Sequence, residues 1–179
     1  MVKHANSISV RLANGQHEAW LLKMPPYAKS KHSCPLCNDD ILVAENNGVV
    51  YGAVNVSYKD ILCVPGRWRT GFEQRLGKLT CKVSGGWISK LYVFPEYRYH
   101  GIGTMLVEKA LEHLKEKGFT EAYAGIYVKN EFRKESKNIF KTNGFKRIGH
   151  CICFLTEGHC RGVLLKKTFA STEKGKKPT

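Results

Sequence analysis

Residues 93–104, VFPEYRYHGIGT, combine an apolar run, a proline, an arginine and two glycines directly ahead of a strongly periodic segment. A helix that begins at Gly101 offers backbone N–H groups and the positive end of its dipole to an anion. Glycines at 101 and 103 lack a Cβ, so a bulky phosphate can approach the main chain. Arg98 adds a planar guanidinium suited to phosphate oxygens. The spacing is neither the GxGxxG dinucleotide fingerprint nor the GxxxxGK[ST] loop, because it has two glycines and no lysine after the second. By itself such a stretch could also serve only to turn the chain.

A second candidate is HSCPLCN, residues 32–38, whose CxxC spacing lets two thiolates share a tetrahedral zinc. GHC, residues 158–160, would complete the set, giving Cys34, Cys37, His159 and Cys160 as a zinc site; the alternative is reduced thiols on a surface loop. Seven cysteines, an odd number, argue against a disulfide framework.

The elements that must position these groups follow from periodicity. SISVRLAN alternates as a first strand ended by Asn14 and Gly15, and an interrupted helical or irregular segment follows to about Asn38. DILVAENNGVVYGAVNVSY reads as two antiparallel strands around Asn46, Asn47 and Gly48. Residues 59–86 are the least regular part and read as a long basic loop or excursion, longer than the roughly 12–15 residues usual for a structureless loop. WISKLYVF is a strand stopped at Pro95. From Ile102 the apolar positions Met105, Leu106, Ala110, Leu111 and Leu114 keep helical spacing up to Gly118. EAYAGIYVKN is a strand, EFRKESKNIFKTN a second helix, and two closing strands follow. A strand, helix, strand order implies a parallel pair in an otherwise antiparallel sheet.

LYVFPEYRYHGIGTMLVEKALEHLKEKG resembles the central strand, RxxGxG/A pyrophosphate loop and helix of the Gcn5-related N-acetyltransferase (GNAT) family of acyl-CoA N-acyltransferases. The PEYR entry, Asn130 after the next strand, and IFKTNGF, similar to the family's LYEKxGF, extend the likeness to roughly residues 7–169. The resemblance implies an α/β fold: a mixed, mostly antiparallel sheet of about seven strands, with a splayed parallel pair (the fourth and fifth) and flanking helices. It implies one domain over 1–170, containing the 59–86 insertion, and a basic disordered tail at 171–179.

The same resemblance implies that acetyl-CoA or another acyl-CoA is the donor. Arg98, Tyr99, His100, Gly101, Ile102, Gly103 and Thr104 would hold its pyrophosphate, Leu91, Tyr92 and Val93 would pair with its pantetheine arm, and Asn130 would reach it from the other side. A backbone N–H near Tyr92 or Val93 would receive the oxyanion. Direct attack in a ternary complex needs a neutral amine, and a lysine-type amine has a pKa of about 10.4, so its proton must be removed.

Here the chain departs from the family. Phe140 stands where many members carry a tyrosine acid, and Ser89 and Lys90 stand where a strand carboxylate is common. Tyr127, Tyr123 and Tyr99 are candidate replacements for the acid; Glu73, His32 or a water chain are candidates for the base.

Lysine and arginine number 29 against 15 acids, a net charge of +14. Residues 59–90 and 129–147 each carry seven bases against two acids, and 166–179 five against one; these segments hold the whole excess. This distribution, with Arg67, Trp68 and Arg69, fits an acceptor associated with nucleic acid or the ribosome: tRNA, a DNA base or a ribosomal protein. A small amine or peptide acceptor, with the charge as a solvated face, is the alternative. A degenerate domain that binds acyl-CoA or nucleic acid without turnover is a third reading. No window is long and apolar enough for a membrane helix, and the N-terminus lacks a secretory h-region, so a cytoplasmic monomer or homodimer is expected.

Overall fold

A computed structural model describes residues 8–28, 40–58, 61–65, 81–83, 85–127, 133–155 and 158–169. Strand β1 (Ser9–Leu12) ends at Asn14, whose side chain caps a 3-10 turn at Gly15–His17. Helix α1 (Glu18–Lys23) and the short α2 (Pro25–Ala28) follow. Next come the hairpin β2 (Asp40–Asn46) and β3 (Val49–Ser57), β4 (Ile61–Pro65), β5 (Cys81–Val83) and β6 (Gly86–Val93). The chain closes with α3 (Ile102–Glu116), β7 (Glu121–Tyr127), α4 (Arg133–Thr142), β8 (Lys146–Leu155) and β9 (Gly158–Thr168).

The strands form one sheet in the order β1-β2-β3-β6-β7-β9-β8-β4-β5, and β6 with β7 is its parallel pair. These two are the expected fourth and fifth strands. The expected hairpin is present too: Asn47 and Gly48 have φ of 50° and 78°, the left-handed pair that a two-residue turn matching the strand twist requires. The 59–86 segment, read from sequence as an irregular excursion, contributes a strand near each end. β4 pairs with β8, placing Cys63 opposite Cys151, and β5 pairs with β4 at one edge of the sheet.

Packing divides the sheet into two faces. Alternate positions Leu42, Val54, Val56, Ile88, Ala122, Ala124, Ile126, Val163 and Leu165 meet Leu106, Val107, Ala110 and Leu114 of α3 and Phe140 of α4 in the main core. On the opposite face Leu21 and Met24 close over Ile41, Val43, Val50 and Ala53. Helix α3 starts from Gly101 at φ 79° and stops before Gly118 at φ 85°, both left-handed positions where a Cβ would be strained.

Two polar clusters pin the frame. His17 accepts from the Asn14 amide at Nδ1 (2.9 Å), so its Nε2 carries the proton donated to Glu45 (2.9 Å), which also holds Arg11 at 2.6 Å. At the far end of α3, Asp40 binds His113 Nε2 at 2.7 Å and the Tyr58 hydroxyl, with Lys117 at 3.9 Å. Burial pulls the Asp40 carboxyl upward, but hydrogen bonds from Tyr58 and His113 and the charges of His113 and Lys117 outweigh it and hold the pKa below 3.8. A depressed carboxylate stabilises the fold above its unfolded pKa, and that contribution is lost as pH falls through 3.8 and then through the folded value. Asp40→Asn should lower Tm by about 2–4 °C at pH 7, since a partly exposed cluster contributes about 1 kcal/mol, and the deficit should shrink as pH falls below 3.8. Thermal melts across pH would check it; a deficit that stays constant from pH 7 down to the acid end of the titration would contradict the charge assignment.

Candidate functional site

The β6–β7 ladder runs Gly86–Ala122, Trp87–Tyr123 and Ile88–Ala124, and goes no further among the described residues. From Ser89 onward β6 therefore faces a gap. On its other side β6 pairs Ser89 with Asn55 and Tyr92 with Ala53, so Lys90 and Leu91 together oppose Val54 in a bulge, with Lys90 at φ 49°. A lysine held in the left-handed region stores strain of about 1–3 kcal/mol, and here it sits at the bulge beside the gap.

Beyond Val93, a 3-10 turn at Pro95–Tyr97 reverses the chain. The Phe94 amide donates to Tyr51 (3.0 Å) and Tyr97 packs edge-on against the Tyr51 ring, centroids 4.5 Å apart, so the loop is tied to β3. Arg98 donates through Nε to the Val93 carbonyl at 3.0 Å, with its guanidinium carbon 5.7 Å from the centre of the Tyr92 ring. His100 Nδ1 lies 2.6 Å from the Arg98 carbonyl, and because a carbonyl only accepts, that nitrogen is protonated. Tyr99 is 86% exposed.

Strand, loop and helix enclose a cavity of about 390 Å³. Leu91, Tyr92, Val93, Arg98, Tyr99, Gly101, Ile102, Gly103 and Thr104 line it, and His100 sits on the same loop. The first hydrogen bond of α3 is Met105 N–H to the Gly101 carbonyl (3.1 Å), so the amides of Ile102, Gly103 and Thr104 precede the intrahelical ladder. No side chain caps this end. A Cβ on Gly103 would sit 2.9 Å from Ile139 Cδ1, whereas the space above Gly101 is open to at least 4 Å. The cavity thus opens onto the amides that start α3, with free space above Gly101.

Sequence reasoning missed one wall. Tyr97 and, from α4, Glu135, Ser136, Asn138 and Ile139 also line the cavity. The helical spacing of Ser136, Ile139 and Phe140 marks an inward face of α4, but only the fold sets that face against Gly103. Phe140 is buried against Phe145, ring centroids 5.1 Å apart, and offers no proton. Tyr123 is buried, gives its hydroxyl to Glu121 at 2.5 Å and stacks on Trp87.

Glu73, His32, Asn130, Cys34 and Cys37 lie outside the described residues, as do the side chains of Tyr127, His159 and Cys160. The backbone places Tyr127 opposite Gly162 at the end of β7, and His159 and Cys160 opposite Phe154 and Cys153 on β8. Among the described residues no group of three or more His, Cys, Asp or Glu is placed to hold a metal, and no helix is long and apolar enough to cross a membrane.

The sequence profile of the acetyltransferase (GNAT) family matches residues 10–145, which spans the gap, the loop and both lining helices. The chain belongs to the GNAT acetyltransferase family. Solved GNAT structures share its fold at low identity. A ribosomal-protein-alanine N-acetyltransferase from Brucella melitensis superposes with a TM-score of 0.59 at 20% identity, covering 90% of this chain and 99% of that one. The protein yncA from Salmonella typhimurium, with its cofactor acetyl-CoA, gives 0.60 at 17% identity, with 97% and 98% covered. A GNAT family acetyltransferase from Elizabethkingia anophelis with acetyl-CoA bound gives 0.60 at 14% identity, with 92% and 99% covered. No curated protein sequence matches this GNAT chain.

Proposed function

We propose that the protein transfers an acetyl group from acetyl-CoA to an amine, with the pyrophosphate held in the glycine cradle at the α3 N-terminus. The observation that carries this reading is the conjunction of that cradle with the place where β6 parts from β7. Three amides ahead of the helical ladder, a cavity wall without a Cβ at Gly103, and the Arg98 guanidinium together suit a diphosphate. The donor supplies a thioester carbonyl; this chain supplies the geometry for its use. Backbone of Leu91–Val93 along the gap would align the donor arm. An amide of the bulge near Tyr92 would stabilise negative charge developing on the carbonyl oxygen. As the C–N bond forms and the C–S bond breaks, the amine gives up a proton and the thiolate takes one. With Phe140 in the core, the leaving thiolate needs no tyrosine from α4, since a thiol is already a good leaving group.

Saturating acetyl-CoA should raise Tm, because a ligand that binds only the folded state stabilises it in proportion to the logarithm of its excess over Kd. No rise at millimolar acetyl-CoA would remove the reading. Transfer of labelled acetyl groups into a lysate separated into proteins, nucleic acids and small molecules would identify the acceptor class. Gly103→Ala sharpens the cradle test. A helix gains about 1 kcal/mol from the change, which offsets displacement of the Ile139 methyl, so Tm should hold within about 2 °C. The acetyl-CoA concentration giving half the thermal shift should nevertheless rise about tenfold; unchanged binding would place the pyrophosphate elsewhere.

An acceptor associated with nucleic acid is a second reading, favoured by a specific feature. Lys134, Lys137 and Lys141 follow one another along the exposed side of α4, whose other side lines the cavity, and exposed Lys146 and Arg147 continue the stripe onto β8. Such a stripe suits a phosphate backbone passing the site. Retention on RNA should fall steeply between 50 and 200 mM salt; salt-independent retention would count against it.

A further inference from the structure

The sequence holds seven cysteines, and strand pairing gathers five of them at one end of the sheet, where the order runs β9-β8-β4-β5. Cys63 on β4 is the register partner of Cys81 on β5 and, on its other side, of Cys151 on β8. Cys153, two residues along β8, is the partner of Cys160 on β9, and the ladder between is unbroken, with Ile152 opposite Arg161. Register partners share a face of a sheet, and so do residues two apart on one strand. The adjacent His150 pairs with Val163, a residue of the main core, so all five cysteines belong to the face turned away from α3.

Opposite residues of an antiparallel pair have Cα atoms about 4.5–5.5 Å apart, inside the roughly 4.4–6.8 Å that a disulfide spans. Three pairs meet that condition: Cys63 with Cys81, Cys63 with Cys151, and Cys153 with Cys160. Cys81 and Cys151 flank Cys63 from strands about 9–10 Å apart, too far for a bond between them. A four-thiolate metal site fits this placement less well. Any four of the five include two that stand at least two strands and one row apart, about 12 Å, whereas every ligand of one zinc must bring its sulfur within about 2.3 Å of the ion. The arrangement suits bonding in pairs.

We propose that this face is a thiol–disulfide site in which Cys63 is shared: oxidation joins Cys153 to Cys160, and Cys63 to either Cys81 or Cys151. Each bond forms as two thiols give two protons and two electrons to a small-molecule disulfide, which departs as two thiols. Whichever of Cys81 and Cys151 is left unbonded attacks the Cys63 sulfur as a thiolate, so that one S–S bond forms while the other breaks. That exchange needs no further oxidant. Bonded to Cys151, Cys63 staples β4 to β8; bonded to Cys81, it joins β4 to β5 and leaves β4 and β8 held by their ladder alone. The proposal is independent of the acetyl-CoA reading.

The test treats the folded full chain with hydroxyethyl disulfide, caps the remaining thiols and maps the bonds by mass spectrometry. Wild type should give Cys153 bonded to Cys160, together with Cys63 bonded to Cys81 or to Cys151. Cys63→Ser should leave Cys81 and Cys151 both free, while the bond between Cys153 and Cys160 forms as before. Cys81→Ser confines the Cys63 bond to Cys151, and Cys151→Ser confines it to Cys81. The first of these crosslinks encloses a far longer stretch of chain, so oxidised Cys81→Ser should melt about 5–15 °C above its reduced form, and oxidised Cys151→Ser should gain about 3–5 °C less. A bond between Cys81 and Cys151 in Cys63→Ser overturns the proposal, because the register forbids it. So do five cysteines that all stay reduced in the folded wild type, or an oxidised wild type that melts below the reduced protein.

Discussion

Gly52→Ala should cost the fold about 2–4 kcal/mol, or roughly 5–15 °C in Tm, although it adds a single methyl to a strand. Gly52 pairs with Val93 across β3 and β6, beside the bulge at Lys90 and Leu91. A Cβ built there would lie 2.6 Å from the Tyr92 carbonyl oxygen and 3.1 Å from Val93 Cα. These are main-chain atoms, so no rotamer change can relieve the contact, and β6 must move as a unit. Moving β6 shifts the segment that lines the cavity and carries the Arg98 loop, so acetyl-CoA binding should weaken along with stability. Thermal melts with and without acetyl-CoA would measure both. The contrast with Gly103 is informative, because there the obstructing atom is the end of a flexible side chain. A Gly52→Ala protein that melts and binds like wild type would mean that the close approach of β3 to β6 is not required.

Arg98→Ala should raise the KM for acetyl-CoA roughly 10–100-fold, the loss expected for a charge-assisted hydrogen bond of about 1.5–3 kcal/mol. Its Nε already donates to the Val93 carbonyl, which holds the side chain against the strand end at the cavity. The same substitution should therefore also remove about 1 kcal/mol of stability. Arg98→Lys should recover only part of the affinity, since an ammonium restores the charge but not the fork. If Arg98→Ala binds acetyl-CoA as wild type does, the pyrophosphate does not meet this residue. Initial-rate kinetics against acetyl-CoA, or the concentration dependence of the thermal shift, would decide.

Much of the frame was legible because it rests on local chemistry. Asn47 and Gly48 sit where a tight hairpin needs left-handed residues, and Gly101 and Gly118 bracket α3 for the same reason. The apolar spacing from Ile102 to Leu114 is the buried face of that helix. Leu91, Tyr92, Val93, Arg98, Tyr99, Gly101, Ile102, Gly103 and Thr104, singled out in the sequence, share one cavity because strand end, loop and helix start are contiguous in the chain.

What could not be read depends on partners distant in sequence. The strands at Ile61–Pro65 and Cys81–Val83 exist through pairing with each other and with β8, and a run interrupted by Pro65 and Gly66 does not announce that edge. An isolated glycine at 52 signals only that something lies close, and the fold identifies it as the Tyr92 carbonyl. The left-handed Lys90 has no sequence signature, since lysine has no preference for that region.

The register that joins Asn55 to Ser89 is likewise a matter of strand pairing and not of local sequence. The sequence by itself determined the loop and helix start at Arg98–Thr104, because its glycines, arginine and apolar periodicity act through bonds along one short segment. Only the tertiary structure decided what stands around it: Glu135, Ser136, Asn138 and Ile139 across the cavity, Gly52 beside the bulge, and the hydrogen bond from Asn55 to Ser89. Those relations come from strand order and helix packing, where one side chain's role is set by groups tens of residues away.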